Sequence, residues 1–140
     1  MKIKQLSIFL ENKTGSLVEI LDIIADANIN LRAISLADAT DFGILRIVVD
    51  DYEKCIKVLE EHNYIVKTSV IVGLFMEDSP SGLASTLKVL KEENIDLEYF
   101  YAVPFKRGEN AILFLHTEDL DNLVDVLNKN NIELFSLPDN

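Results

Sequence analysis

The stretch Glu11-Asn12-Lys13-Thr14-Gly15-Ser16-Leu17 returns 66 residues later as Glu77-Asp78-Ser79-Pro80-Ser81-Gly82-Leu83. Each copy follows an apolar run (residues 6–10 and 72–76). Each precedes a helical pattern that closes on Asn28-Ile29-Asn30-Leu31 or Asn94-Ile95-Asp96-Leu97. Of the 26 aligned pairs from Leu6/Val72 to Leu31/Leu97, seven are identical, and most others exchange apolar for apolar or polar for polar. Repetition over that length makes the chain two copies of one unit. Further on the spacing widens to 68, pairing Ile44-Leu45 with Ile112-Leu113, Asp51 with Asp119, Val58-Leu59 with Val126-Leu127 and Asn63 with Asn131. A two-residue insertion near residues 104–110 accounts for the change, because Lys106-Arg107-Gly108 there reads as a turn.

Working outward from the repeated stretch, residues 4–10 alternate polar and apolar over most of their length, the pattern of a strand with one buried face. Leu17, Ile20, Leu21 and Ile24 then recur at i, i+3, i+4 and i+7, which predicts a helix with Glu19, Asp22 and Asp26 in water, closed by Asn28. Residues 31–36 and 44–49 read as a strand hairpin. Asp51 is a good N-cap for a helix that carries Tyr52, Cys55, Ile56 and Leu59 on one face and ends at Asn63, and residues 64–66 make a short last strand. The second half copies this with strands at 71–76, 97–105, 111–117 and 132–137. Its helices are marked by Leu83, Leu87 and Leu90, and by Leu120, Leu123, Val124 and Leu127.

The order strand, helix, strand, strand, helix, strand is the split βαβ, or ferredoxin-like, arrangement. The expected fold is therefore α+β. It has two tandem βαββαβ units, residues 1–68 and 69–140, each an antiparallel sheet with helices on one face. Only Lys67-Thr68-Ser69 separates the last strand of one unit from the first of the next, and with no Gly/Ser-rich linker a fixed relation between units is expected. On the strand at 97–105, Tyr99, Tyr101 and Val103 share one side and Phe100 and Ala102 the other. One set should be core and the other a domain or subunit interface.

A chain of 140 residues that is 49% hydrophobic can build a real core, but units of half that length are near the size where one core is only marginally stable. An assembly, a homodimer for instance, is expected on that ground. Up to Thr68 there are 8 basic and 11 acidic residues, and from Ser69 onward 5 and 13, which gives the net charge of -11. No basic stripe offers itself to phosphates, so nucleic acid is excluded as a partner. No window approaches ~18 consecutive apolar residues, and no leader pattern follows Met1, so a cytoplasmic protein with no membrane partner is expected. Cys55, the lone cysteine, sits on an apolar helical face as a core residue. His62 and His116 fall in unrelated parts of the units, and no metal or phosphate-loop motif is present, so neither catalytic residues nor a cofactor or metal site are expected. The carboxylate pairs Asp50-Asp51 and Glu118-Asp119 fall where helix capping accounts for them.

The repeated stretch has what a small zwitterion needs. Gly15 and Gly82 let a backbone come close to a ligand, since no Cβ stands in the way. Unpaired N–H groups at a helix start can hold an α-carboxylate. Asn12 or Asp78 can accept hydrogen bonds from an α-ammonium group. The same residues also suit a plain helix start: Ser79-Pro80 is an N-cap followed by Pro at the first helical position, and Asn12 can satisfy a turn.

Strand, then Glu-Asn/Asp-x-Thr/Pro with glycine, then Leu ahead of an apolar pair, then Asn-Ile-Asn/Asp-Leu resembles the ACT domain, an amino-acid-sensing module attached to many biosynthetic enzymes. The likeness covers both halves and is greatest to small stand-alone proteins made of two such domains. The segment Ser35-Leu36-Ala37-Asp38-Ala39-Thr40-Asp41-Phe42-Gly43-Ile44-Leu45-Arg46 is similar to one in that tandem group. The resemblance implies an amino acid held at an interface between domains, through Asn12, Gly15, Ser16 and Leu17 in one half and Asp78, Ser81, Gly82 and Leu83 in the other. Asn30 and Asp96, just after each first helix, are second-rank candidates that can reach a facing site. Two positions depart from the pattern: Thr14 stands where the family often has Pro, and Ser81 where it often has Gly, with Gly82 one place later.

The expected function is a non-catalytic, allosteric regulatory protein that binds a small amino acid and signals through assembly or domain rearrangement to an effector enzyme on another chain. The alternative is an assembly or interaction module that has lost ligand binding, which the departures at Thr14 and Ser81 favour.

Overall fold

The computed structural model describes residues 2–11, 13–38, 41–105 and 110–137. The expected turn at Lys106-Arg107-Gly108 and the candidate Asn12 lie outside them. Contacts divide the described chain into two units, Lys4–Ser69 and Val70–Leu137, and Lys2 and Ile3 group with the second. Lys2 Nζ there meets Asp121 Oδ1 at 2.5 Å.

In the N-terminal unit, β1 (Lys2–Leu10) leads into α1 (Lys13–Asp26), followed by the hairpin β2 (Leu31–Asp38) and β3 (Gly43–Val49) and then α2 (Tyr52–Glu61). β3 is central. It pairs antiparallel with β1, setting Ile8 opposite Leu45, and with β2, setting Ile34 opposite Ile47. The alternation that predicts the strands also sorts them by face: Leu6, Ile8, Leu10, Leu45 and Ile47 are fully buried against Ile20 and Ile24 of α1 and Cys55 and Leu59 of α2. Each such side chain contributes about 1.5–3 kcal/mol by leaving water. Burial also pushes the Cys55 thiol up to about 11, so it is a core residue and not a reactive thiol.

The C-terminal unit repeats the plan. The long strand β4 (Val66–Glu77) enters it at Val70, followed by α3 (Pro80–Glu92), β5 (Tyr99–Phe105), β6 (Asn110–His116), α4 (Leu120–Lys129) and β7 (Leu134–Phe135). Pairings β7 with β4, β4 with β6 and β6 with β5 are all antiparallel, giving the four-strand order of the split βαβ fold. Val72, Leu74, Leu113 and Leu115 meet Leu90, Leu123 and Leu127 on the helical side.

The expected strand at 71–76 reaches back to Val66: Lys67-Thr68-Ser69 is not a linker but lies near the start of β4, and of the expected strand 64–66 only Val66 belongs to it. No Gly or Pro interrupts it, and β-branched Val66, Thr68 and Val70 favour the extended chain. The last strand is shorter than expected, two residues in place of six. On β5, Phe100 and Ala102 lie opposite Leu115 and Leu113 of the core side, while Tyr99, Tyr101 and Val103 lie opposite His116, Phe114 and Ile112 on the other. Neither set is fully buried. Phe100 is 43% exposed because β5 is the outer strand.

Asp51 Oδ1 accepts from Lys54 N, and Asp119 Oδ1 from Asn122 N, so both caps are formed. At the other end, Asn28, Asn63, Asn94 and Asn131 all have positive φ, between 57° and 67°. The N–H of the residue after each donates five positions back, Ile29 to Ile24 O, Tyr64 to Leu59 O, Ile95 to Leu90 O and Ile132 to Leu127 O. This is the Schellman closure, and in each pair an apolar residue packs near a buried one. Asn is the non-glycine residue that tolerates this conformation best. The repeated Asn-Ile motif is therefore a helix stop.

Candidate functional site

The two copies of the repeated stretch differ at the helix start. In the C-terminal unit, Ser79 has extended backbone and its Oγ accepts from Gly82 N at 3.1 Å. Ser79 O accepts from the same N–H, and Ser79 N donates to Glu77 O at 2.9 Å. Gly82 is buried, and a Cβ there would stand 2.2 Å from Glu77 O. Its lack of a side chain thus serves the packing of α3 on the end of β4. Ser81 Oγ lies 3.2 Å from Ser79 Oγ, Leu83 packs on the core, and Asp78 is exposed. The N–H that a carboxylate would use here is already engaged by the cap.

In the N-terminal unit Glu11 and Gly15 are exposed, Ser16 is half-buried and Leu17 packs on the core. Ser16 forms part of the wall of a cavity of about 250 Å3, together with Phe9, Glu11, Asn63, Tyr64 and Ile65. The Tyr64 phenol lies near the Glu19 carboxylate and the Ser16 hydroxyl. Burial, followed by the Glu19 carboxylate, holds its pKa above the ordinary value, against a smaller opposite effect of Ser16. Lys67 Nζ stands 5.7 Å from the Phe9 ring centroid, a cation–π distance. Gln5 Nε2 donates to Ser69 Oγ at 3.0 Å, so the start of β4 lies beside β1 and brings Tyr64 and Ile65 to the repeated stretch. This wall offers a carboxylate, hydroxyls, an amide and apolar surface within one concave space, the mix that orients a small zwitterion.

Asn30 does not join that cavity wall. Its Nδ2 donates to Asp50 Oδ2 at 3.2 Å, and Arg32 grips the same carboxylate with Nε at 2.6 Å and Nη2 at 2.8 Å. The Arg32 hydrogen bond, with a smaller help from Asn30, holds the Asp50 carboxyl below the ordinary range, and Arg32 is raised in turn. The pair Asp50-Asp51 is thereby divided: Asp51 caps α2 and Asp50 is an ion-pair partner. Lys54 Nζ adds a bond to Ala27 O at 2.7 Å, at the end of α1.

The equivalent corner of the C-terminal unit has a carboxylate where Arg32 stands in the first. Repeat spacing puts Asp96, Glu98 and Glu118 where Asn30, Arg32 and Asp50 stand. Asp96, Glu98, Glu118 and Asp119 line a cavity of about 480 Å3 with Asn94, Thr117 and Asn122. The Asp96 carbonyl accepts from Thr117 Oγ1 at 2.9 Å. Among the described residues no group of His, Cys, Asp and Glu is placed to hold a metal ion.

Of the sequence candidates among the described residues, only Ser16 is brought to the smaller cavity, and only Asp96 to the larger one. Phe9, Glu11, Asn63, Tyr64 and Ile65 were missed. The signal available for them was topological: a fourth strand that pairs with the first carries the residues after the second helix to the first strand's end.

The family described as ACT domain pair matches residues 1–138. Among solved structures, protein BT0572 from Bacteroides thetaiotaomicron is 37% identical, with 96% of this chain and 92% of that chain covered and a TM-score of 0.88. The ligand-free regulatory subunit of aspartate kinase from Thermus thermophilus shares the fold at 9% identity, covering 90% of this chain and 91% of that one, TM-score 0.66. Aspartokinase III of E. coli, solved in complex with lysine and aspartate, does so at 19% identity, TM-score 0.57, over 92% of this chain and 31% of that one. No curated protein matches the sequence. ACT domains are regulatory domains, and no helix among the described residues is long and apolar enough to cross a membrane.

Proposed function

We propose that this chain, which belongs to the ACT domain family as a pair of such domains, is a non-catalytic regulatory protein that binds a small amino acid. Its signal passes through assembly, as a homodimer, or through domain rearrangement to an enzyme on another chain. The observation that carries the reading is the cavity of about 250 Å3 at Ser16, where the repeated stretch meets Tyr64 and Ile65. We place the ligand in the N-terminal unit. Gly15 and Ser16 at the start of α1 are assigned to the carboxylate, Glu11 to the ammonium group, joined by Asn12 on the sequence reading alone, and Phe9 and Ile65 to the side chain. An amino acid that binds one arrangement better shifts the population toward it, by no more than that difference in affinity.

The engaged cap at Gly82 supports a second reading for the C-terminal unit, an assembly module whose stretch is structural. The test is the unfolding temperature of the protein alone and with each common amino acid at millimolar concentration, repeated with Asn12→Ala and Asp78→Ala. A ligand at 100 times its dissociation constant adds about 2.7 kcal/mol. The expected result is a shift with one or a few amino acids, abolished by Asn12→Ala and kept by Asp78→Ala. No shift with any amino acid would make the whole protein an assembly module.

A further inference from the structure

In the N-terminal unit the corner after the first helix is neutralised from within: Arg32 grips Asp50 with Nε at 2.6 Å and Nη2 at 2.8 Å, and Asn30 adds a bond at 3.2 Å. In the C-terminal unit the same three repeat positions are Asp96, Glu98 and Glu118. With Asp119 they line the cavity of about 480 Å3, and among the described residues no Lys or Arg lines it. That wall is held in place: Thr117, 6% exposed, donates from Oγ1 to Asp96 O at 2.9 Å, and Glu98 N donates to His116 O at 2.9 Å. His116 Nε2 approaches Glu98 Oε1 only to 4.0 Å, beyond hydrogen-bond range. The segment 94–97 also walls a second hollow, of about 500 Å3, where Leu87 and Leu90 of α3 with Ile95, Leu97 and Phe100 supply the apolar lining and Lys91 a basic one. Phe100 there is 43% exposed. An acidic hollow and an apolar one thus share one wall.

We propose that the two joined hollows dock a segment of another protein that carries an arginine beside a large apolar side chain. The guanidinium meets Glu98 and Glu118 as Arg32 meets Asp50, and the apolar side chain covers Leu97 and Phe100. A guanidinium fits better than an ammonium group, because its planar fork addresses carboxylates in a fixed geometry. Arginine and large apolar anchors are also the side chains that carry most of the binding energy of protein interfaces. A second copy of this chain does not suit the face: from Ser69 onward it has 5 basic and 13 acidic residues, so copies meeting there would set like charge against like. Free arginine would leave the apolar hollow uncovered. The inference rests on the reading that the signal passes to another chain, and gives that effector a docking face and a chemistry.

The test selects a random-sequence peptide library against the full chain at ~0.15 M salt, where attraction between distant charges is screened, with no amino acid added. The recovered peptides should carry Arg together with Leu, Phe or Trp, and a synthetic copy of the strongest is titrated by fluorescence anisotropy. Glu98→Arg supplies the corner with its own guanidinium, as in the other unit, and should weaken that peptide by at least about tenfold with unchanged circular dichroism. Phe100→Ser, at an exposed position, should weaken it by a similar factor. Asp22→Arg, an equal change of net charge at an exposed position of α1, should leave it unaltered. Recovery of no such peptide, binding that survives Glu98→Arg or Phe100→Ser, equal weakening by Asp22→Arg, or displacement by free arginine at the peptide's own affinity overturns the docking face. Each of these outcomes leaves the amino-acid site at Ser16 standing, and failure of every amino acid to bind there leaves the docking face standing.

Discussion

The first helix of each unit starts from the same repeated stretch, but the two starts are built differently. At Ser79–Gly82 the helix start is closed on itself: one serine satisfies the N–H of Gly82, and the missing Cβ makes room for the Glu77 carbonyl. At residues 13–17 the glycine is exposed and the serine after it faces a cavity. The corner after each first helix diverges as well. In the N-terminal unit Arg32 holds Asp50, and in the C-terminal unit carboxylates stand at both positions. A duplicated sequence motif thus retains its fold-forming part in both copies while the chemistry around it separates. Identity of residue type at a repeat position does not establish identity of role.

The largest effect expected from that contrast is at the glycines. Gly82→Ala puts a Cβ against a backbone oxygen, which cannot swing aside as a side chain would. It should cost about 2–3 kcal/mol in urea unfolding. Gly15→Ala lies within the first turn of α1, where alanine has the higher helix propensity, and stability should stay within about 1 kcal/mol of wild type. Equal losses at both would break the distinction between a buried and an exposed glycine at the helix start.

The repeat could be read by comparing the chain with itself, and the helix and strand order, the caps Asp51, Asp119 and Ser79, and the stop at Asn28 from local pattern, because each of these is set by near neighbours along the chain. The unbroken β4 could not: Lys67-Thr68-Ser69 is polar, and polarity alone looks like a connection when the pairing that extends it is remote. The Arg32–Asp50 pair spans 18 residues and needs the β2–β3 hairpin to exist before the two meet. Tyr64 and Ile65 reach the cavity only through closure of the sheet. Residues at the candidate site were legible where they belong to the repeated stretch and hidden where tertiary pairing delivers them.

The next effect tests the two corners. Arg32→Ala removes both donors from a carboxylate that is largely out of water and should cost about 1 kcal/mol, more than an ordinary surface pair. The Asp50 carboxyl is held below its unfolded value. The stability it provides is therefore fully present above the unfolded pKa of ~3.9 and is lost as pH falls through the folded one. Wild type and Arg32→Ala should accordingly begin to approach each other only as pH falls below about 4, in acid titrations followed by circular dichroism. Glu98→Arg transplants the cation to the other unit, opposite Glu118. It should raise the stability of the C-terminal unit by several tenths of a kcal/mol at low salt and lose that gain at high salt.

The smallest differences between the units should be at the helix stops they share. Asn28, Asn63, Asn94 and Asn131 share one backbone conformation, so substituting each should cost the same whichever unit it closes. Alanine at these positions has no side-chain amide to ease the left-handed region and should cost about 1 kcal/mol. Glycine there should be neutral or slightly stabilising, because it adopts positive φ without strain and the two closing hydrogen bonds come from backbone. The measurement is chemical unfolding of the four alanine and four glycine variants. Uniform alanine losses with unchanged glycine variants assign the Asn-Ile motif to helix closure alone. A loss confined to Asn63, whose side belongs to the Ser16 cavity, and appearing as lost amino-acid binding with stability intact, would give that asparagine a second duty that its three counterparts lack.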